Sequence, residues 1–144
     1  MAKKSFDFKK DYRHFLEIPT RWHDNDLYGH VNNVVYYSYF DTAVNKYMIS
    51  EAGLDIHSDQ VIGVVVETMC SYRKSIAFPQ TIEVGLRVAH LGRSSVRHEI
   101  GIFDQQDKQA VACGYFVHAF VNRDSNKPVA IPEKIKVALS KIVK

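Results

Sequence analysis

Arg21 to Ala43 reads RWHDNDLYGHVNNVVYYSYFDTA. Its first half is polar and carries Asp24, Asp26, His23, His30, Gly29 and the pair Asn32-Asn33; its second half turns at once apolar and aromatic. From Asn33 onward, Tyr36, Phe40, Ala43, Val44 and Tyr47 fall at i, i+4, i+7, i+8 and i+11, one face of a 3.6-residue period, while Ser38, Asp41, Asn45 and Lys46 line much of the rest. The spacing predicts a helix beginning near Asn33, with Asn32 as N-cap and Gly53 as its stop. Valine and tyrosine dominate the first two turns, so intrinsic propensity is poor. Such a helix forms only when tertiary packing holds it, and the remainder of the chain should therefore wrap around it.

Working outward, residues 1–12 mix lysine, phenylalanine and aspartate without a period and read as a loosely held leader. The run His14 to Asp24 puts Leu16, Ile18, Thr20 and Trp22 on one parity, which suits a strand with one apolar face; Pro19 places it at an edge or a bulge. After the helix come alternating runs: Ile62 to Tyr72, then Thr81 to Val88, then Ser94 to Phe103, then Gln109 to Val121, punctuated by Pro79, Leu91-Gly92-Arg93 and the polar loop Asp104 to Lys108. Pro132 sits where the first position of a terminal helix favours proline, and Ile135, Ala138, Leu139 and Ile142 supply its apolar stripe. The order of elements makes an α+β domain with a mainly antiparallel sheet. We divide the chain into a leader, 1–13, and a single domain, 14–144.

Composition excludes more than it names. A length of 144 residues suffices for one domain with a real core. The formal charge of +3 is carried largely by terminal lysines, which argues against nucleic-acid binding. Cys70 and Cys113 show no CxxC spacing and read as small reduced hydrophobes. No apolar run reaches the ~20 residues a membrane-spanning helix needs, and residues 1–10 lack the apolar stretch of a signal peptide. The expected location is the cytoplasm.

The polar half of the opening stretch carries the chemistry. A helix starting at Asn33 leaves its first backbone N–H groups without intrahelical partners, at the end where the macrodipole favours negative charge. Those amides are suited to polarise a carbonyl oxygen. Asp26, seven residues earlier, is a carboxylate that could attack an acyl carbon or deprotonate a water that does. On spacing alone a second reading stays open, in which Asp24 and Asp26 only satisfy loop amides. His14, His23, Asp24, Asp26 and His30 are close in sequence, yet no HxH, HExxH or Cys-His spacing is present, and no metal site is expected. Glu67, the one carboxylate in VIGVVVETMCSY, is a secondary catalytic candidate if its face is covered and an ordinary strand residue if it is open.

These residues resemble a known signature. The segment closely resembles that of the 4-hydroxybenzoyl-CoA thioesterase and acyl-CoA thioesterase branch of the hotdog-fold superfamily, in which an aromatic-x-Asp/Glu-x-Asp-x-x-Gly-His-Val-Asn-Asn run precedes the long helix. VVVETMCSYRKSIAFPQTIEV, HLGRSSVRHEIGIF, AVACGYFVHAFVNR and KPVAIPE follow the family's order, so the resemblance covers nearly everything after residue 13. It implies a hotdog fold: a five-stranded antiparallel sheet wrapped around the long central helix, with a short C-terminal helix, assembled as homodimers or homotetramers with each site at a dimer interface. It implies hydrolysis of an acyl-CoA, aryl or short to medium aliphatic, to free acid and CoA, without a cofactor.

Carried over by position, Asp26 matches the catalytic aspartate, as nucleophile or general base, and Asn33 the residue whose backbone amide binds the thioester carbonyl. Gly29, His30 and Asn32 match the loop that shapes the site. Arg93, Ser94 and Ser95 match the turn near pantetheine, with Arg73, Lys74 and Arg123 as further phosphate partners. Some relatives carry histidine at Asn33 and tyrosine at Trp22, and Lys74-Ser75 replaces a frequent proline. The alternative is a non-catalytic acyl-CoA-binding protein of the same fold; a dehydratase of the superfamily would place its histidine and carboxylate differently.

Overall fold

The computed structural model describes residues 5–144. Strand β1 (His14–Pro19) leads through a 3-10 turn at Trp22–Asp24 and a loop into helix α1 (Asn33–Ala52). Strands β2 (Val61–Tyr72), β3 (Thr81–Leu91), β4 (Ser95–Asp104) and β5 (Ala112–Asn122) follow, and helix α2 (Glu133–Ser140) closes the chain. The sheet order is β1-β3-β4-β5-β2, every pairing antiparallel. This is the hotdog arrangement, with the long helix packed on one face of the sheet.

Helix α1 ends where the sequence says it should. The Asn32 side chain accepts from the Val34 amide at 3.1 Å. Gly53 takes a left-handed φ of 68° and its amide bonds the Met48 carbonyl, a conformation that carries no Cβ penalty in glycine. Tyr36, Phe40, Ala43, Val44 and Tyr47 are buried, as are Tyr39 and Met48 beside them. They meet Ile82, Val84, Leu86, Ile100, Ile102 and Phe120 from the sheet in one continuous core. Burial of a side chain such as Phe40 is worth about 1.5–3 kcal/mol, enough to offset the weak propensity of the valines and tyrosines. The Tyr47 hydroxyl donates to the Ala138 carbonyl and ties α1 to α2.

Several boundaries differ from the sequence reading. The first strand stops at Pro19 rather than running to Asp24; it is an edge strand, as Pro19 suggested. β5 starts at Ala112; Gln109 and Ala110 instead pair with the N-terminal segment, the Ala110 amide bonding the Asp7 carbonyl, while the Val111 amide bonds the Ile102 carbonyl. Pro132 caps α2 from one position outside it.

The loosely held leader is corrected for its described part. Phe6 and Tyr12 are buried, Tyr12 beside Phe103 and Ala110 in a cluster separate from the core that holds α1. The Tyr12 ring lies so close over Gly85 and Gly101 that a Cβ at either would come within 2.9 and 2.7 Å of it. Arg87, itself buried, donates to Asp7, to Glu99 and to the Asp11 carbonyl. Residues 1–4 of the expected leader lie outside the described residues. Both cysteines are half-buried, on neighbouring strands.

Candidate functional site

The stretch between β1 and α1 is a small closed hairpin. The Asn32 amide donates to the Asp24 carbonyl at 2.9 Å, Asn25 and Val31 pair as an antiparallel bridge, and the Asp26 amide donates to the His30 carbonyl at 2.9 Å. At its tip the Gly29 amide donates to the Asp26 carbonyl at 3.1 Å, closing a turn that Gly29 permits with a φ of 82°. One flank is anchored to the chain before β3: the Val31 amide bonds the Ile76 carbonyl and the Phe78 amide bonds Asn25 Oδ1.

Asp26 therefore stands at the head of the turn, half-buried, with Oδ1 accepting from the Tyr28 amide at 2.8 Å. That contact is the loop-amide role the sequence left open; it engages one oxygen and leaves the carboxylate facing a hollow of about 640 Å3, lined by Trp22, His23, Asn25, Asp26, Leu27 and Gly29. Trp22, Leu27 and Tyr28 stand out into solvent around it.

At the start of α1 the amides of Val34 and Val35 are taken up by the Asn32 side chain and carbonyl. The Asn33 amide has no acceptor among the described residues, and the residue is exposed. Beside it a second hollow of about 250 Å3 is lined by Val31, Asn33, Tyr36, Tyr72, Arg73, Lys74 and Ser75. The Tyr72 hydroxyl donates to the Asn33 carbonyl at 3.3 Å, and burial pushes the Tyr36 phenol up to about 12. A free amide at a helix N-terminus, next to a turn that presents a carboxylate, can polarise a carbonyl and supply a base or nucleophile to it.

The organiser of this loop is Asp24, which the sequence reading credited with no more than satisfying loop amides. Asp24 is buried, 1% exposed. Burial raises its pKa, but hydrogen bonds from the Arg21 amide, the Tyr39 hydroxyl and the Arg21 side chain outweigh this and hold it below the ordinary carboxylate value. Tyr39 is pushed well above the ordinary phenol value by burial and by that same carboxylate. The signal available beforehand was the Arg21-to-Asp24 spacing of a capped turn; Tyr39 lies outside the helical stripe picked out from the periodicity.

Asp26, Gly29, His30 and Asn32 thus share one hairpin, with His30 exposed on it, and Asn33 follows as the first residue of α1; Asp26 and Asn33 line separate hollows. Arg93, Ser94 and Ser95 do not join them within one chain. They form the β3–β4 turn, where the Gly92 amide bonds the Ser95 carbonyl and the Ile131 amide the Arg93 carbonyl. The hairpin adjoins the other end of β3, where Thr81 pairs with Pro19, roughly 30 Å away at ~3.3 Å per strand residue. Arg73 is held by the Ala110 carbonyl and Asp107, Arg123 by the carbonyls of Ile56 and Asp59, and Lys74 by Asp104, so structural partners already occupy the further phosphate candidates. Glu67 is exposed beside a bulge in β2, on an open face. A third hollow, of about 690 Å3 between Lys9-Lys10 and Gln105–Lys108, includes none of these residues.

Among the described residues no cluster of three or more His, Cys, Asp or Glu could hold a metal ion, and no helix is long and apolar enough to cross a membrane. A family model described as the thioesterase-like superfamily matches residues 20–139. The chain is similar to the crystal structure of the PA5185 protein from Pseudomonas aeruginosa, with 53% identity over 96% of this chain and 97% of that one and a TM-score of 0.95. It is also similar to the PA2801 protein of the same species (30% identity, 88% and 97% covered, TM-score 0.82). A DHNA-CoA thioesterase from Staphylococcus aureus matches at 25% identity, with 89% of each chain covered and a TM-score of 0.79.

Proposed function

The chain belongs to the thioesterase-like superfamily, and from that premise we propose that it hydrolyses acyl-CoA thioesters to a free acid and CoA. The observation that carries the reading is the free Asn33 amide beside the turn that presents Asp26. In this mechanism the thioester carbonyl oxygen accepts from the Asn33 amide, which strengthens as negative charge builds on that oxygen. Asp26 either takes the proton of a water that adds to the carbonyl carbon or attacks that carbon itself, the resulting anhydride then being opened by water. In both routes the C–S bond breaks, the sulfur leaves as the CoA thiol, and water is the only co-reactant. No cofactor enters.

The acyl group we assign is aryl or short to medium aliphatic. Tyr36 and Tyr72 line the hollow beside Asn33, and a structural neighbour is a thioesterase of DHNA-CoA.

The working unit we propose is a homodimer, alone or doubled into a tetramer, joined through β2. That strand is an open sheet edge with Val65 and Val66 exposed on it, and an edge of this kind is a template for pairing with another strand. Antiparallel pairing of β2 with its own copy lays the Tyr72 end of one protomer beside the Val61 end of the other. Arg93 of the partner subunit would then lie about 14 Å across the sheet, three strand spacings away, where Arg93, Ser94 and Ser95 serve the CoA moiety of the neighbouring site.

Release of free thiol from a panel of short, long and aromatic acyl-CoAs tests the reading. Hydrolysis of at least one class at an enzymatic rate supports it. Tight binding of acyl-CoA without thiol release would establish the alternative, a non-catalytic binder.

A further inference from the structure

Asp24 touches three parts of the molecule. Oδ2 accepts from the Arg21 amide at 2.9 Å and from the Tyr39 hydroxyl at 2.8 Å. Oδ1 accepts from the Arg21 guanidinium at 3.0 and 3.1 Å, and the backbone carbonyl accepts from the Asn32 amide. The Arg21 side chain is 61% exposed, so solvent screens its share. The Tyr39 contact is buried. It joins the start of the hairpin to the second turn of α1.

Apart from the Asn32 cap on Val34 and Val35, where the hairpin runs into α1, its other ties run to residues 76–78, and the bonds of Asp26 itself stay within the hairpin. The Tyr39–Asp24 bond is therefore the side-chain tie that reaches past the cap and holds the hairpin to the body of the helix. We propose that Asp24 is a positioning residue: its carboxylate, gripped by Tyr39, fixes where the Asp26 turn stands relative to the Asn33 amide. This rests on the hydrolysis proposed above. A misplacement of about 1 Å at such a site can cost on the order of 100-fold in rate, so a small slackening of the hairpin should be visible.

Helix α1 supplies its own control. Tyr47 is a second buried tyrosine on α1, and its hydroxyl donates to the Ala138 carbonyl, away from the hairpin. The chain's sole tryptophan, Trp22, lies in the same 3-10 turn as Asp24 and reports on it directly. Tyr39→Phe and Tyr47→Phe each remove one buried hydroxyl from the same helix.

The expected result is that Tyr39→Phe lowers kcat about 10-fold with KM little changed, and shifts the emission and acrylamide quenching of Trp22. Tyr47→Phe should lose a comparable amount of Tm with kcat and Trp22 unchanged. The pair Asp24→Ala/Tyr39→Phe should be little worse than Asp24→Ala alone, because one contact is removed twice. Equal losses of kcat in the two tyrosine variants, in proportion to Tm and with Trp22 unmoved, would overturn the proposal. Absence of thiol release from wild type would instead sink the hydrolysis reading and with it the kinetic part of this one, while the Trp22 comparison still decides whether Asp24 fixes the hairpin.

Discussion

His98 on β4 and His118 on β5 meet edge to face with ring centroids 5.1 Å apart. Both are buried, and both nitrogens of His98 and Nδ1 of His118 have no hydrogen-bond partner among the described residues. Burial, and then the neighbouring His118, push His98 down to about 3; burial lowers His118 too, with Asp41 on α1 acting the other way. The folded state thus holds these groups below their unfolded value of about 6.5. Their contribution is complete above that pH and is lost as pH falls from there toward the native values, by at most about 1.4 kcal/mol per pH unit for each histidine. Melting curves over a pH series check this: wild type should lose Tm on acidification more steeply than His98→Leu, and parallel curves would refute it.

Asp26→Asn keeps the acceptor for the Tyr28 amide and removes the base or nucleophile. We expect kcat to fall by at least ~100-fold with Tm close to wild type, measured by thiol release and thermal melting. A variant that turned over its best acyl-CoA at the wild-type rate would remove the mechanism.

The role of Asn33 is that of a backbone atom, which side-chain substitutions do not reach. Proline does reach it. Asn33 is the first residue of α1, the position where proline is best tolerated, and Asn32 already has the extended conformation (φ −62°, ψ 139°) that a following proline requires. Asn33→Pro should fold and melt near wild type while losing roughly 100- to 1,000-fold in kcat, the range for one oxyanion donor. Asn33→Ala, which keeps the amide, should lose far less.

Arg87 is 7% exposed and bridges Asp7 and Glu99. Arg87→Met leaves Glu99 largely buried without its main cation and should cost about 3 kcal/mol, the lower end for breaking a buried pair. Urea unfolding measures the loss. Limited proteolysis should show cleavage before Tyr12 that wild type resists, since the same guanidinium also holds the Asp11 carbonyl.

Val66, 60% exposed at the β2 bulge, tests the proposed assembly. Val66→Glu would bring two like charges together at a two-fold β2 contact, so light scattering should report a monomer where wild type is dimeric or larger. Thiol release should fall in parallel, although Asp26 and Asn33 are untouched. A monomeric wild type with full activity would refute the shared site.

The helix and its ends were legible because each carries its own local chemistry: an apolar stripe, an asparagine cap and a glycine at the left-handed stop. The strands were legible through alternation. Residues 5–12 were not, because what orders them is remote in sequence; Asp7 finds Arg87, and Tyr12 finds room over Gly85 and Gly101. Asp26 and Asn33 stood out through resemblance more than spacing, while Asp24 stayed hidden because its partner, Tyr39, becomes one only once the helix has docked.

The strand order β1-β3-β4-β5-β2 puts the first two strands made at opposite edges of the sheet. A ribosome therefore delivers β1, α1 and β2 before β3 and β4, whose Ile82, Val84, Leu86, Ile100 and Ile102 share the core with the helix, exist. At about 5–20 residues per second, α1 waits for seconds with Tyr36, Phe40 and Val44 uncovered. The β3–β4–β5 meander pairs neighbours in sequence and can assemble first, whereas Val61 must find Asn122 across a long loop. Closure of β2 onto β5 is thus a late step in folding, and the edge proposed to meet a second copy is among the last parts of the chain to take shape.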